Sequence, residues 1–261
     1  MDGTRDRIHA RVDRDLDANL AGAHLAPTAW SEPEKLVLAA RILAQEGHCS
    51  GLAGQLTQRL SDGTFRSLPI GIGFDEARPA HLLRVDEDLK VVEGKGIPNP
   101  AVRFHIWVYR KRPDAMAIVH THPPKASALA MIGRPLVPAH MDTAMLYDDV
   151  AYLPEWPGVP VADEEGRIIS DALGAKRSIL LAHHGILSTG RDIVEATYLA
   201  VAMELAARLQ LDAEAAGTIK PIRPELGRAA HDFMLKPAIV GATFAAWARR
   251  ALRADPNALA S

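Results

Sequence analysis

His120 and His122 end the apolar, β-branched run Ala117-Ile-Val-His120-Thr-His122 and are separated by a single residue. On a strand, residues two apart share a face, so both imidazoles project the same way. A third histidine can come from the end of a second apolar run, Leu180-Leu-Ala-His183-His184-Gly185. Three neutral imidazoles supply one face of the coordination shell of a divalent ion such as Mn, Zn, Co or Fe. They leave other positions open for a substrate. The chemistry this predicts is Lewis-acid catalysis, in which the ion holds negative charge that develops on a reacting molecule. With eleven histidines in the chain, one His-x-His arises readily by chance. Context separates this one: both segments read as strand, then histidines, then Pro or Gly turn residues, where α/β folds place their chemistry.

Positioning three side chains from distant runs requires a substantial core, and 261 residues, 48% of them hydrophobic, can bury one. A formal net charge of -2 gives no basic footprint for nucleic acid. Cys49 is the only cysteine, which excludes an intrachain disulfide and a thiolate zinc centre; it is expected to be buried. The charged start Met-Asp-Gly-Thr-Arg-Asp-Arg lacks the apolar stretch of a signal peptide, and no apolar run approaches the ~20 residues that span a bilayer. A cytoplasmic protein is expected.

Residues 1–30, polar and Ala-rich, read as an N-terminal arm, 31–220 as the catalytic domain, and 221–261 as a helical C-terminal extension of it. Ser31-Glu-Pro-Glu34 is a capping box, followed by the helix-period face Leu36, Ala39, Ile42, Leu43 and a stop at Gly47. Between Gly51 and Val92, Ser61-Asp-Gly63, Gly71-Ile-Gly73 and Asp86-Glu-Asp88 punctuate short strand-like runs, predicting antiparallel strands. Asn99-Pro100 reads as N-cap and first residue of a helix to Arg112. A strand over residues 116–120, an Ala-rich helix to Met131, and a Pro-rich functional loop region with short strands over 133–160 follow. A helix over 165–175, a strand over 178–182 and a long helix from Asp192 to Ala216 complete the domain. The pattern predicts an α/β fold with a central, mainly antiparallel sheet between helices.

In order along the chain, Gly54-Gln-Leu-Thr-Gln-Arg59, Pro98-Asn-Pro-Ala-Val-Arg-Phe-His105, Arg112-Pro-Asp114, His120-Thr-His122-Pro123, His184-Gly185 and Glu195-Ala196 resemble the class II aldolase/adducin family over roughly residues 35–215. The resemblance implies a three-layer α/β/α sandwich, usually a homotetramer with active sites at subunit interfaces. It also implies one divalent metal per chain, held by the His-x-His pair and by the histidine of an Asn-His-Gly motif. Here that motif is His183-His184-Gly185, which makes His184 the third ligand and leaves His183 to point to the opposite side if the strand continues. Aldolases of the family carry Ser-Ser-Glu where this chain has Asn99-Pro100-Ala101, and Ala101 can neither ligate a metal nor move a proton. The string Gly-Ile-Pro-Asn-Pro-Ala with His-Thr-His-Pro-Pro looks like a branch that decarboxylates hydroxylated aromatic or heteroaromatic acids.

The reading is therefore a lyase in which the Lewis acid is kept and the base is changed, with a small aromatic acid as substrate. A non-haem iron oxygenase of the same fold, an aldolase on an unphosphorylated hydroxy-oxo acid, and an adducin-like module without metal are the alternatives. Candidates for the replacement acid/base are His48, His140 and Tyr147, with Asp142 nearby. Asn99, Arg103 and Arg223 are candidates for binding the substrate, though Arg103 reads as easily as a salt bridge and Arg223 rests on its position alone. By its setting in Gly47-His48-Cys49-Ser50, His48 reads most simply as a surface-loop residue.

Overall fold

The capping box opens the first helix as its spacing predicts. In the computed structural model, which describes residues 29–48, 51–159 and 163–260, Ser31 accepts from the Glu34 backbone N–H. The Glu34 carboxylate accepts in return from the Ser31 N–H at 2.7 Å. Helix α1 (Glu32–Gln45) then buries Leu36, Ile42 and Leu43, and Gly47, at φ +79°, turns the chain out of it. Ser31→Ala is expected to lower stability by about 1 kcal/mol, read from urea unfolding midpoints.

Among the described residues, eight strands form one sheet: β1 (Gln55–Arg59), β2 (Phe65–Ser67), β3 (Leu83–Val85), β4 (Val91–Glu93), β5 (Ala117–Thr121), β6 (Val150–Leu153), β7 (Ser178–Leu181) and β8 (Gly185–Gly190). Their order is β4-β3-β2-β1-β5-β8-β7-β6. The pairings are antiparallel except β6 with β7, so the sheet is mainly antiparallel as expected. Helices α2 (Val102–Lys111) and α4 (Asp163–Leu173) cover one face. On the other lie α1, α3 (Pro124–Met131), α5 (Ile193–Ala216) and α7 (Pro237–Ala254). α6 (Pro224–Met234) links α5 to α7.

β5 sits at the centre and shows why its sequence is apolar without alternation. Ala117 and Val119 enter the core under α1 and α5, while Ile118 enters the core under α2 and α4. The C-terminal extension joins the first of these cores through Val240, Phe244 and Ala248.

Two expectations are adjusted. α2 starts at Val102 rather than Pro100: the Asn99 side chain accepts from the Ala101 N–H and its carbonyl from the Val102 N–H, so Asn99-Pro100 forms a turn ahead of the helix. Among its described residues, the region 133–160 holds the 3-10 turn Met141–Leu146 and one strand, β6. Most of the N-terminal arm and Cys49 fall outside the described residues. No helix among the described residues is long and apolar enough to cross a membrane.

Candidate metal centre

The antiparallel pairing of β5 with β8, and of β8 with β7, brings the three histidines together. β5 delivers His120, opposite Leu187 of β8, at the end of the sheet where β7 turns into β8. Thr121, between the two β5-side histidines, points to the α1 face, so His120 and His122 share the other side. β7 stops at Leu181, and Ala182, His183 and His184 make the turn into β8. His183 adopts φ +55° and is exposed; the strand does not continue through it, so it turns to solvent rather than across the sheet. The ring centroids of His120, His122 and His184 stand 4.7–4.8 Å apart. One nitrogen from each lies within 4.8 Å of the others.

His120 Nδ1–H donates to the Ile186 carbonyl at 2.8 Å, which assigns its Nε2 as the lone-pair nitrogen. That Nε2 faces His122 Nε2 at 3.0 Å. Burial disfavours the charged form of every member. It is the main reason His184 is pushed down to about 4, with His122 adding repulsion. His122 is lowered by burial, and His120 well below its usual range by burial and by both neighbours. Three neutral imidazoles with converging nitrogens fit a borderline divalent cation, and among the described residues the group holds no carboxylate and no thiolate. Gly185 makes the approach possible. A Cβ there would overlap the Thr121 carbonyl oxygen and stand 2.6 Å from His122 Cδ2.

α2 runs antiparallel to β5, since Phe104 packs its ring on His120 at 4.9 Å while Tyr109 reaches Thr57, the register partner of Ile118. The N-terminal turn of α2, with Ala101 ahead of it, therefore lies at the same end of the sheet as the trio. His105 is fully buried beside His120, its Nδ1 bonded to Thr57 Oγ1 at 2.8 Å and its Nε2 without a partner. Burial pushes it down to about 3.

The other candidates are dispersed. His48 is not a surface residue: it is fully buried, bonded through Nδ1 to Thr121 Oγ1 at 2.9 Å, and pushed down to about 3 by burial. That bond places it behind β5, on the α1 face, whereas His120 faces α2. Asn99 is half-buried at the trio's end of the sheet, with its side-chain oxygen held by the Ala101 N–H. Arg103 pairs at the surface with Asp163 of α4 at 3.4 Å. The exposed His140 accepts from the Asp142 N–H and borders a hollow of about 410 Å³ against α5. Tyr147 packs its ring onto Gly227 of α6. Arg223, the N-cap of α6, is exposed beside Glu225. Tyr147 and Arg223 thus sit towards the opposite end of the sheet, where β6 and β7 begin, and do not join the trio within one chain.

Glu204 escaped sequence reasoning. It lies buried in α5 and accepts from the Lys125 N–H at 3.0 Å and the Ala126 N–H at 2.9 Å. α3 has Pro123 as N-cap and no side-chain cap of its own, so this distant carboxylate satisfies its first amides and fixes the segment after His122. The one available signal was a lone glutamate on an otherwise apolar face of α5. Glu204→Ala is expected to destabilise the fold by about 2 kcal/mol, because buried donors lose a charged acceptor; thermal unfolding measures it.

At the opposite end, Arg177 bridges Asp149 at 2.7 Å and Glu195 at 3.3 Å, and His231 of α6 meets Asp149 at 3.4 Å. The hydrogen bond to Asp149 raises His231 above its usual range, with Asp232 adding to it and burial opposing. A raised value means stability that is complete below about pH 6.5 and lost as pH climbs through the folded value. Denaturant unfolding should therefore show a wider gap between wild type and His231→Gln at pH 6 than at pH 9; equal gaps would contradict the pairing.

Comparison with known proteins places this geometry among relatives. Residues 34–211 match the family model for the Class II Aldolase and Adducin N-terminal domain. The chain is 31% identical over 182 residues to a 4-hydroxy-3-prenylphenylpyruvate oxygenase/4-hydroxy-3-prenylbenzoate synthase of Streptomyces roseochromogenus subsp. oscitans. That match covers 68% of this chain and 66% of that protein, just under two-thirds of its length. It is also 31% identical over 182 residues to Decarboxylase NovR of Streptomyces niveus, covering 68% and 67%. Among solved structures, an L-fuculose 1-phosphate aldolase from Glaciozyma antarctica PI12 superposes with a TM-score of 0.79 at 27% identity, covering 88% of this chain and 92% of that one.

Proposed function

The chain belongs to the class II aldolase and adducin family, and from that premise we infer that it is a metal-dependent carbon–carbon lyase. The reaction proposed is decarboxylation of a small hydroxylated aromatic or heteroaromatic acid. The observation that carries this reading is the pairing of a complete histidine trio with alanine at position 101. Where aldolases of the family carry a glutamate, Ala101 can neither ligate a metal nor move a proton, while the three imidazoles remain.

His120, His122 and His184 would hold one divalent ion, whose Lewis acidity stabilises the charge left by departing carbon dioxide. The protein's part is geometric. The Ile186 carbonyl fixes the His120 tautomer, Gly185 admits His122, and Glu204 anchors the segment that follows it. Burial keeps the imidazoles neutral, so their lone pairs are available at pH 7. The substrate loses its carboxylate as carbon dioxide, and a proton from solvent takes its place on the ring carbon. His122 and His184 are only partly buried, which leaves that side of the trio open to water.

The resemblance to Decarboxylase NovR supports the reading. That to the oxygenase/synthase supports a second, a non-haem iron oxygenase on a related hydroxyphenyl acid. An oxygen electrode separates them: the lyase releases one carbon dioxide per substrate without consuming oxygen, whereas stoichiometric oxygen uptake would establish the second reading. Exposed Met131, Ile132, Val137 and Met141 support a homo-oligomer, proposed as the homotetramer usual in the family, and His140 lies beside Val137 in the hollow against α5.

A further inference from the structure

α6 is the more lightly held of the two helices in the C-terminal extension. Of its 11 residues only Gly227 is buried, whereas α7 sinks Val240, Phe244, Ala245, Ala248 and Ala251 into the fold. Gly227 lies under the Tyr147 ring, and the helix packs on the 3-10 turn Met141–Leu146. A segment without regular structure, 218–223, leads into it, and its C-cap Leu235 turns the chain towards Pro237. An element with so little buried surface opens locally at low cost unless a polar contact holds it. Leu235 also lines, with Asp149 and Arg177, a hollow of about 500 Å³, so α6 closes one side of it.

His231 supplies that contact. Its Nε2 meets Asp149 Oδ2 at 3.4 Å and its Nδ1 meets Asp232 Oδ1 at 2.8 Å. A neutral imidazole carries one N–H, so only the protonated ring donates to both carboxylates. Asp232 belongs to α6 itself; Asp149, just ahead of β6, is the tie to the domain. The His231 and Asp149 side chains are 16% and 12% exposed, so water screens this pair less than a surface bridge. Among the other charged groups here, Arg177 reaches His231 Nε2 through Nη2 at 3.4 Å and also bridges Asp149 to Glu195 of α5. Asp148 and Lys176 pair with each other at 2.7 Å, and Arg228, one turn back on α6, acts on Asp148. Lys236, at the foot of α7, sits over the Phe233 ring.

We propose that His231 is a pH-operated latch, which in its protonated form holds α6 against the Asp149–Arg177 pair and in its neutral form lets the helix open locally. The neutral ring must give up one carboxylate, and the shorter bond, to Asp232, is the one better kept. Its Nε2 then turns a lone pair to Asp149 and accepts only from Arg177. Opening leaves no carboxylate stranded, because Asp149 keeps the Arg177 side chain at 2.7 Å and the Arg177 N–H at 2.9 Å. The bond to Asp149 raises His231 above its usual range. The latch is therefore fully engaged below about pH 6.5 and parts as pH climbs through the folded value. It lies at the end of the sheet away from the histidine trio and does not depend on the lyase reading.

Hydrogen exchange of the full chain at pH 6 and pH 9, corrected for the pH dependence of intrinsic exchange, tests the latch by comparing peptides from α6 with peptides from α7. In wild type, protection of α6 should fall at least about threefold from pH 6 to pH 9 while that of α7 holds. His231→Gln should show the low protection at both pH values. His231→Lys, which stays charged at pH 9, should show the high protection at both. Equal wild-type protection of α6 at the two pH values would overturn the proposal. So would a fall shared by α7, which would mark global unfolding. A fall that persists unchanged in His231→Gln would overturn it too, because another group would then be titrating.

Discussion

His184→Ala is expected to weaken divalent-metal binding by at least about a thousandfold, equivalent to about 4 kcal/mol, with turnover falling in step. The half-buried ring lies in the turn between β7 and β8 and makes its contacts chiefly with the other two imidazoles. Its removal leaves both strands and their register in place, so the metal-free variant should unfold within about 1 kcal/mol of metal-free wild type. That combination distinguishes a ligand from a packing residue. Titration with a chromophoric competitor chelator reads the affinity, and urea unfolding of the metal-free forms reads the stability. Loss of stability with unchanged metal affinity would mark His184 as structural.

Gly185→Ala carries the second large effect, and its origin is steric. The added methyl would overlap the Thr121 carbonyl oxygen and press on His122 Cδ2 at 2.6 Å. The first neighbour is backbone of the central strand and cannot rotate away. The second can yield only by moving the His122 ring. Overpacking of this kind costs about 1–3 kcal/mol in stability, and displacement of His122 should lower metal affinity by about tenfold or more, since coordination tolerates errors of only a few tenths of an ångström. Both losses should appear together, in contrast to His184→Ala. A Gly185→Ala protein with wild-type stability and metal content would contradict the packing at this turn.

What the sequence disclosed was mainly local or strongly patterned. The capping box at Ser31, the apolar run of β5 and the His-x-His spacing each depend on neighbours within a few residues, and each is present in the structure. The turn at His183 was hidden because Ala-His-His carries no glycine or proline to announce a left-handed residue. His48 read as exposed because Gly-His-Cys-Ser is polar and turn-like, yet Thr121, far along the chain, supplies the partner that makes its burial tolerable. Glu204 was invisible for the same reason, since it caps a helix that begins 80 residues earlier in the chain. Tyr147 and Arg223 looked close to the site only as members of a loop region and an extension. The parallel pairing of β6 with β7 carries them towards the other end of the sheet.

The most direct test of a metal-dependent decarboxylase is carbon dioxide release from an ortho-hydroxy aromatic acid under nitrogen, followed before chelation, after chelation and after metal is restored. About one divalent ion per chain, activity lost on its removal and regained on its return, and no need for oxygen are the predicted results. Release of carbon dioxide at full rate by metal-free protein, or only when oxygen is admitted, would contradict the account.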